Sequence, residues 1–460
     1  MQTFALAANL YKRVYIPGIR DQLHNGTPGL GILAKTGRNA WSGSSVYLAN
    51  RTGRNRSYRP TSAARNASAF PTSGRQTYGN FVVPVVILHG TGGIEALASA
   101  ASQGSESAFA EALKSEVQGH KMDWMKDLEI DFYGTPLGVL GRLSANPGAV
   151  VQVTVEQDPD SQLVHWRGNG TRYFSVNQEI EIFSEDGVTR RVDAAAATSF
   201  TVASVDTEQL LSFDTAVEAG VTTGDLLVRQ GTFGAQADPG DNSEAAFAFN
   251  GLEQIFADNS VDIPARGNSM NYELDVLQGV DRGTAANSFA VSNVLDNNGA
   301  VLTRNTVHNA VKRQKHSSGT YPDVILCEDA VQIALQDLMV GDQRYEPQVF
   351  PGGFKADALL WNAGNADIPV LATRECPYDR MYGLSLDCVE YFVLQDLELI
   401  ETDGSVLRQA AAGGDQWEFN WRMFANMGSR QPNGGFKITR IGGADELYGL
   451  GAGNGPVYTF

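Results

Sequence analysis

His89-Gly90-Thr91-Gly92-Gly93 sets a histidine ahead of three glycines, the kind of loop whose backbone amides can hold an oxyanion during ester hydrolysis. That chemistry also needs a nucleophile on a G-x-S-x-G turn, and the chain has none. The nearest run, Gly383-Leu384-Ser385-Leu386-Asp387, lacks the second glycine. The His89 segment is better read as a hinge between a strand and a helix. Gly29-Leu30-Gly31-Ile32-Leu33-Ala34 fits a dinucleotide-loop spacing, but no strand precedes it and no acid follows at the right distance. The six histidines, at 24, 89, 120, 165, 308 and 316, are scattered and none pairs with another ligand at metal-binding spacing. Cys327, Cys376 and Cys388 form neither a disulfide framework nor a zinc pattern. No catalytic, cofactor-binding or metal-ligating residue is assigned, and no cofactor is expected.

The sharper chemistry is electrostatic. Residues 1–80 carry eleven Lys and Arg against one acid, Asp21, so this part is at +10 while the chain as a whole is at −17. The densest run holds Arg51, Arg54, Arg56, Arg59, Arg65 and Arg75. Guanidinium forks pair bidentately with carboxylates, so this stretch suits a clamp on an acidic protein face. A matching acidic row exists in the same chain: Asp123, Asp127 and Asp131 repeat at spacing four, with Glu116 upstream. Like charges at that spacing repel by about 0.2–0.5 kcal/mol each on an isolated helix, and an outside cation would remove the cost. Self-association, basic loop of one copy on acidic helix of the next, is the expectation.

These charges need elements to carry them. Phe109, Leu113, Val117, Trp124, Leu128 and Phe132 predict one amphipathic helix over Ser105–Phe132, capped by Ser105 and stopped by Gly134 and Pro136. The arginines sit between strand-like runs at Ala40–Leu48 and Tyr78–Leu88, which predicts a long two-stranded loop that is marginal without a neighbour. A short helix is expected at Ile94–Ala101, and residues 1–34 read as an extended arm. From Ala149 to Phe233 the period changes to two, with strands around Val151–Val155, Ile180–Ile182, Phe200–Val205, Leu210–Phe213 and Leu226–Val228, predicting a small all-β barrel or sandwich. Its span is acidic: residues 151–240 hold 14 acids and 5 arginines. A helix is expected at Val301–His316, then a strand at Pro322–Leu326 and a helix at Glu328–Met339. Pro347–Gly353 reads as a loop, with strands following at Ala358–Trp361, Ile368–Thr373 and Val389–Leu394. Trp417–Met427 and Gly435–Ile441 read as an antiparallel pair. No apolar run reaches the roughly 18 residues of a membrane span, and a cytoplasmic location is expected.

This order of parts resembles the major capsid proteins of tailed bacteriophages, with the Hong Kong 97-type fold. The resemblance is carried by Tyr78-Gly-Asn-Phe-Val-Val-Pro-Val-Val-Ile-Leu leading to the long helix, by Tyr321-Pro-Asp-Val-Ile-Leu-Cys with its following helix, and by Trp417-Glu-Phe-Asn-Trp through Gly435-Phe-Lys-Ile-Thr-Arg-Ile. It implies an α+β chain with an N-terminal arm (1–34), an extended β-loop (35–90), a spine helix of the peripheral domain (91–148), an inserted small all-β domain (149–235), the peripheral domain continued (236–318), an axial domain (319–415), and C-terminal strands and tail (416–460). It further implies a non-enzymatic structural protein that self-assembles as pentamers and hexamers into an icosahedral shell around double-stranded DNA, in a virion assembled in the host cytoplasm. Partners implied are further copies of itself, a scaffolding protein, a portal, a decoration protein, and packaged DNA without sequence specificity. Three other readings stand beside it: an encapsulin-like compartment shell, a hydrolase using the His89 loop, and a nucleic-acid-binding module on the basic segment 35–90.

Overall fold

The computed structural model describes residues 28–33, 35–36, 41–55, 57, 74–95, 106–156, 170–184, 189–193, 195, 197–232, 248–257, 276–339, 345–349, 355–362, 366–377, 379–401, 406–409 and 416–442. One helix, Glu106–Phe132, is the longest element, and it packs on a five-stranded sheet. In that sheet Val389–Leu399, Gln416–Ser429 and Leu407–Gln409 run antiparallel in turn, Lys35–Thr36 adds in parallel to Val389–Leu399, and Val86–Glu95 pairs along Gln416–Ser429. Phe132, Tyr133, Phe249, Phe256, Phe392, Phe419 and Trp421 are all buried in the core cluster that the helix and this sheet share.

The glycines at 90 to 93 do not form a hinge. They lie inside the strand Val86–Glu95, which is registered residue by residue from Val86 opposite Ala425 to Glu95 opposite Gln416. At Gly90 and Gly92 their role is close approach. A Cβ on Gly90 would sit 2.2 Å from Cζ3 of Trp124, and one on Gly92 would sit 2.3 Å from Cζ of Phe419. The helix expected at Ile94–Ala101 is therefore displaced by strand at its first two residues, and positions 96–101 lie outside the described residues. Ser105 also lies outside them.

The period-two region closes into a barrel. Strands Val139–Arg142, Leu226–Arg229, Glu179–Phe183, Phe200–Val205, Leu210–Phe213 and Gln152–Thr154 pair antiparallel in that order. The circle is completed where Leu143 bridges Val155 and the Glu156 amide donates to the Arg142 carbonyl at 2.7 Å. Inward alternation fills it with Ile180, Ile182, Phe200, Val202, Leu211, Phe213 and Leu227. Its first strand precedes the expected start at 149, because the spine helix ends at Phe132 and Gly134-Thr-Pro turns the chain straight into Val139–Arg142. Ile130 of the spine helix belongs to the barrel core, so the two elements share side chains.

A seven-stranded sheet completes the molecule, in the order Asn293–Asp296, Phe436–Thr439, Met381–Leu384, Val324–Cys327, Asp367–Ala372, Lys355–Asn362, Tyr345–Val349. Val324–Cys327 is buried at all four positions, as its unbroken apolar run requires. Helix Asp329–Leu338 follows it, capped by the Glu328 carboxylate accepting from the Ala330 amide at 2.8 Å. Helix Arg304–Ser318 is capped by Thr303 and ended by Gly319 at φ 85°, a left-handed position that favours glycine. Two expectations are corrected here. The strands around 417–427 and 435–441 are not partners: Gln416–Ser429 lies in the five-stranded sheet, whereas Phe436–Thr439 sits between Asn293–Asp296 and Met381–Leu384. Of the loop expected over Pro347–Gly353, the first three residues belong to the strand Tyr345–Val349 and the rest lie outside the described residues; Pro347 is tolerated because this strand is at the sheet edge.

Candidate assembly surfaces

The two-stranded loop is a ribbon of Ser45–Gly53 and Thr77–Pro84, antiparallel, with Ser45 opposite Pro84 and Arg51 opposite Tyr78. Its two ends differ. At the base Val46, Leu48, Phe81 and Val83 are buried, and Phe81 meets Phe289 with ring centroids 5.5 Å apart. One backbone and one side-chain bond fix the base: the Val82 amide donates to the Gln278 carbonyl at 2.9 Å, and Asn50 Nδ2 donates to the Arg430 carbonyl. Further out, Arg51, Arg54, Arg75 and Tyr78 are exposed, Tyr78 by 67%. None of these three arginines makes an ion pair to a described acid; Arg51 Nε reaches only the Gly53 carbonyl of its own strand, at 3.5 Å. Arg56, Arg59 and Arg65 lie outside the described residues.

On the spine helix Val117, Leu128 and Phe132 are buried and Trp124 half-buried, as the stripe predicts; the side chains of Phe109, Leu113 and Glu116 lie outside the described residues. The acidic row is split by the structure. Asp127 Oδ2 and Asp131 Oδ1 both take the guanidinium of Arg229, at 3.0 and 3.3 Å, and Arg229 comes from the last barrel strand. Burial opposes the Arg229 charge, but the two carboxylates outweigh it and hold its pKa above the ordinary arginine value. The repulsion that called for an outside cation is thus met largely from within. Asp123, one turn earlier, is exposed and pairs with no described cation, and Met122 beside it is 68% exposed.

The next acid in the helix has a different task. Glu129 is buried and accepts the amides of Gly29 at 2.7 Å and Leu30 at 3.3 Å. Burial pushes its pKa up to about 8, against the pull of those two amides and aided by the charge of Glu375. Residues 28–33 are therefore no extended arm. Pro28–Gly31 is a helical turn, and Leu30, Ile32 and Leu33 are buried against the core of the spine helix. A Cβ on Gly29 would sit 2.4 Å from Glu129 Oε1, so glycine is what lets the turn dock.

A second buried constellation escaped the sequence reading altogether. Glu253 accepts from Tyr382 Oη at 2.6 Å, Lys437 Nζ at 3.0 Å and Arg380 Nη1, while Arg380 Nε also reaches Asp379 at 3.3 Å. Glu253, Arg380 and Lys437 have no exposed side-chain surface. Burial alone would raise the Glu253 pKa; Arg380 and Lys437 overcome it and hold the carboxyl well below the usual range. The cluster ties the turn Leu252–Ile255 to two strands of the seven-stranded sheet. Its members stand far apart in sequence with ordinary neighbours, so no local pattern announces them.

The remaining chemical motifs are absorbed by the fold. The amides at 90–93 lie in a paired strand and His89 is exposed opposite Arg422, so these residues form no oxyanion loop. Cys327, Cys376 and Cys388 are free and buried. Among the described residues no group of three or more His, Cys, Asp or Glu could hold a metal ion, and no helix is long and apolar enough to cross a membrane.

No family model matches this sequence, and no curated protein does. Solved structures are similar over most of the chain. A cyanophage A-1(L) capsid subunit is similar at 11% identity and TM-score 0.47, over 90% of this chain and 93% of its own. The encapsulin of the holo-SrpI complex from Synechococcus elongatus is similar at 6% identity and TM-score 0.41, over 90% and 88%. The capsid of Myoviridae phage XM1 gives 7% identity and TM-score 0.38, over 91% of both chains.

Proposed function

We propose that this chain is the shell subunit of a tailed bacteriophage, a major capsid protein that assembles as pentamers and hexamers around double-stranded DNA. The observation that carries the reading is the ribbon: its base is anchored in the core, whereas its outer half leaves Tyr78 67% exposed and presents Arg51, Arg54 and Arg75 to no acid of its own subunit among the described residues. A single exposed ion pair contributes about 0–1 kcal/mol, so such a surface gains strength only by repetition, as in a closed shell of many copies. The ribbon of one subunit lies on the spine helix of a neighbour, with Asp123 and Glu116 facing the arginines and Met122 giving apolar contact. Asp127 and Asp131 face Arg229 within the subunit and serve the ribbon only at second hand. Packaged DNA, a scaffolding protein, a portal and a decoration protein complete the proposed set of partners, and the virion the proposed location.

Negative-stain microscopy of the purified full-length protein tests this. Closed shells are expected, and monomers under every assembly condition would sink it. Asp123→Lys should leave the thermal midpoint within the range of a surface substitution and stop or misdirect assembly. Normal shells from that variant would reduce the acid to a solvated side chain. An encapsulin-like compartment is the second reading; shells that form in the absence of any phage component and hold protein cargo instead of DNA would favour it.

A further inference from the structure

Helix Arg304–Ser318 buries Val307, Ala310, Val311 and Gln314 and turns a basic side outward. Arg304, His308, Lys312 and His316 follow at spacing four, with Asn309 and Arg313 beside them, and no acid occurs from Asn297 to Pro322. Asn309, Lys312, Arg313 and His316 are all exposed or half-exposed on one face. Between this face and the strand Asn293–Asp296 runs a groove of about 550 Å³, with Leu295 as its apolar floor and Asn293, Asn309, Lys312, Arg313, His316 and Ser317 as its polar lining. In a chain of net charge −17 this strip is a local reversal of sign.

We propose that this groove binds the backbone phosphates of a nucleic acid. Its donor set, amide, hydroxyl, imidazole, ammonium and guanidinium, is one that contacts phosphate oxygens, and apart from the His316 imidazole its lining holds no aromatic ring on which bases could stack. The groove is held in shape: Asn293 Nδ2 donates to Ser317 Oγ at 2.9 Å and to the Gly435 carbonyl at 3.1 Å, and Arg313 Nη1 donates to the Val294 carbonyl at 3.3 Å. The acid of that strand, Asp296, takes Arg440 Nε at 2.8 Å and Arg440 Nη2 as well, so its charge is matched away from the groove. Lys315 and His316 stand in the last turn, where cations offset the helix dipole, but Lys312 and Arg313 stand a turn earlier. Lys315 is turned onto the Tyr321 ring, 4.1 Å from its centroid, and takes no part. Naming nucleic acid as the phosphate source rests on the shell reading; the phosphate site does not.

Dissociated full-length subunits are titrated with a short labelled DNA duplex over a salt series, which reads the groove whether or not shells form. Lys312→Gln with Arg313→Gln should weaken binding about tenfold at low salt and reduce the log–log salt slope by about two, since each released contact counts for about 0.9. Both side chains are exposed, and an unchanged thermal midpoint checks folding. Arg51→Gln with Arg54→Gln, the same charge change on the ribbon, should leave the slope unchanged. Unaltered binding by the groove variant, or loss by the ribbon variant alone, overturns the proposal. Displacement of the duplex by inorganic phosphate at matched ionic strength overturns the nucleic-acid source, and equal displacement by polyglutamate overturns phosphate altogether. Failure of the groove variant to form shells while it still binds duplex overturns the groove and leaves the shell reading standing.

Discussion

Arginine behaves in opposite ways in the ribbon and in the barrel. In and around the barrel, Arg190 finds Glu181, Arg191 takes Asp225 at 2.9 Å, Arg142 takes Glu156 at 3.3 Å, Arg172 takes Glu328 at 3.4 Å, and Arg229 takes two aspartates of the spine helix. In the ribbon Arg51, Arg54 and Arg75 have no such carboxylate among the described residues. The barrel's cations thus belong to the fold of one subunit, and the ribbon's are the ones available to the contact between subunits proposed above. Counting charges separates the cation-rich ribbon stretch from the acidic barrel span, but only the folded contacts show which arginine meets which carboxylate.

The comparison breaks if the two sets respond alike to substitution. The largest loss of stability is expected at the most buried pairing. Glu253→Gln removes the anion that Arg380 and Lys437 face with no exposed surface, and should cost about 3–5 kcal/mol, read as a lower urea midpoint. Glu129 comes next and depends on pH. Its folded pKa, about 8, lies above its unfolded value, so the folded state holds a proton that the unfolded state releases near pH 4.5. Stability from this group is full below that pH and is lost as pH rises towards 8, by several kcal/mol. Glu129→Gln keeps an acceptor for the Gly29 amide and should flatten the profile across that window. Arg229→Met leaves Asp127 and Asp131 facing each other and should cost about 1–3 kcal/mol with shell geometry unchanged wherever the subunit is folded. At the other end, Arg51→Gln with Arg54→Gln and Arg75→Gln should change stability by less than about 0.5 kcal/mol and abolish shells in the microscope. A ribbon variant that unfolds the subunit would erase the distinction.

Much of the fold was legible because its periodic segments are long. The spine stripe, the barrel alternation at Ile180–Ile182 and Phe200–Val205, and the strand-to-helix step at Val324–Leu338 were all readable from spacing alone. What failed was pairing and proximity. Gly90 and Gly92 look like a hinge in one dimension; only Trp124 and Phe419, distant in sequence, show that they are clearances in a strand. The strands at 416–429 and 436–439 are neighbours in sequence and lie in different sheets. Acid spacing located the row on the spine helix, but spacing could not assign Asp127 and Asp131 to Arg229, nor Glu129 to two backbone amides. Those assignments depend on chain segments brought together from about a hundred residues away.

The missing Cβ at Gly90 also makes the molecule report on itself. Trp124 lies where that methyl would be, half-buried and touching the strand that leads out of the ribbon. If the proposed assembly shifts the helix relative to that strand, the ring should become more hydrated and its fluorescence should move to longer wavelength. A difference spectrum against Trp124→Phe would follow assembly in real time, from inside the joint between the two elements, without any added label.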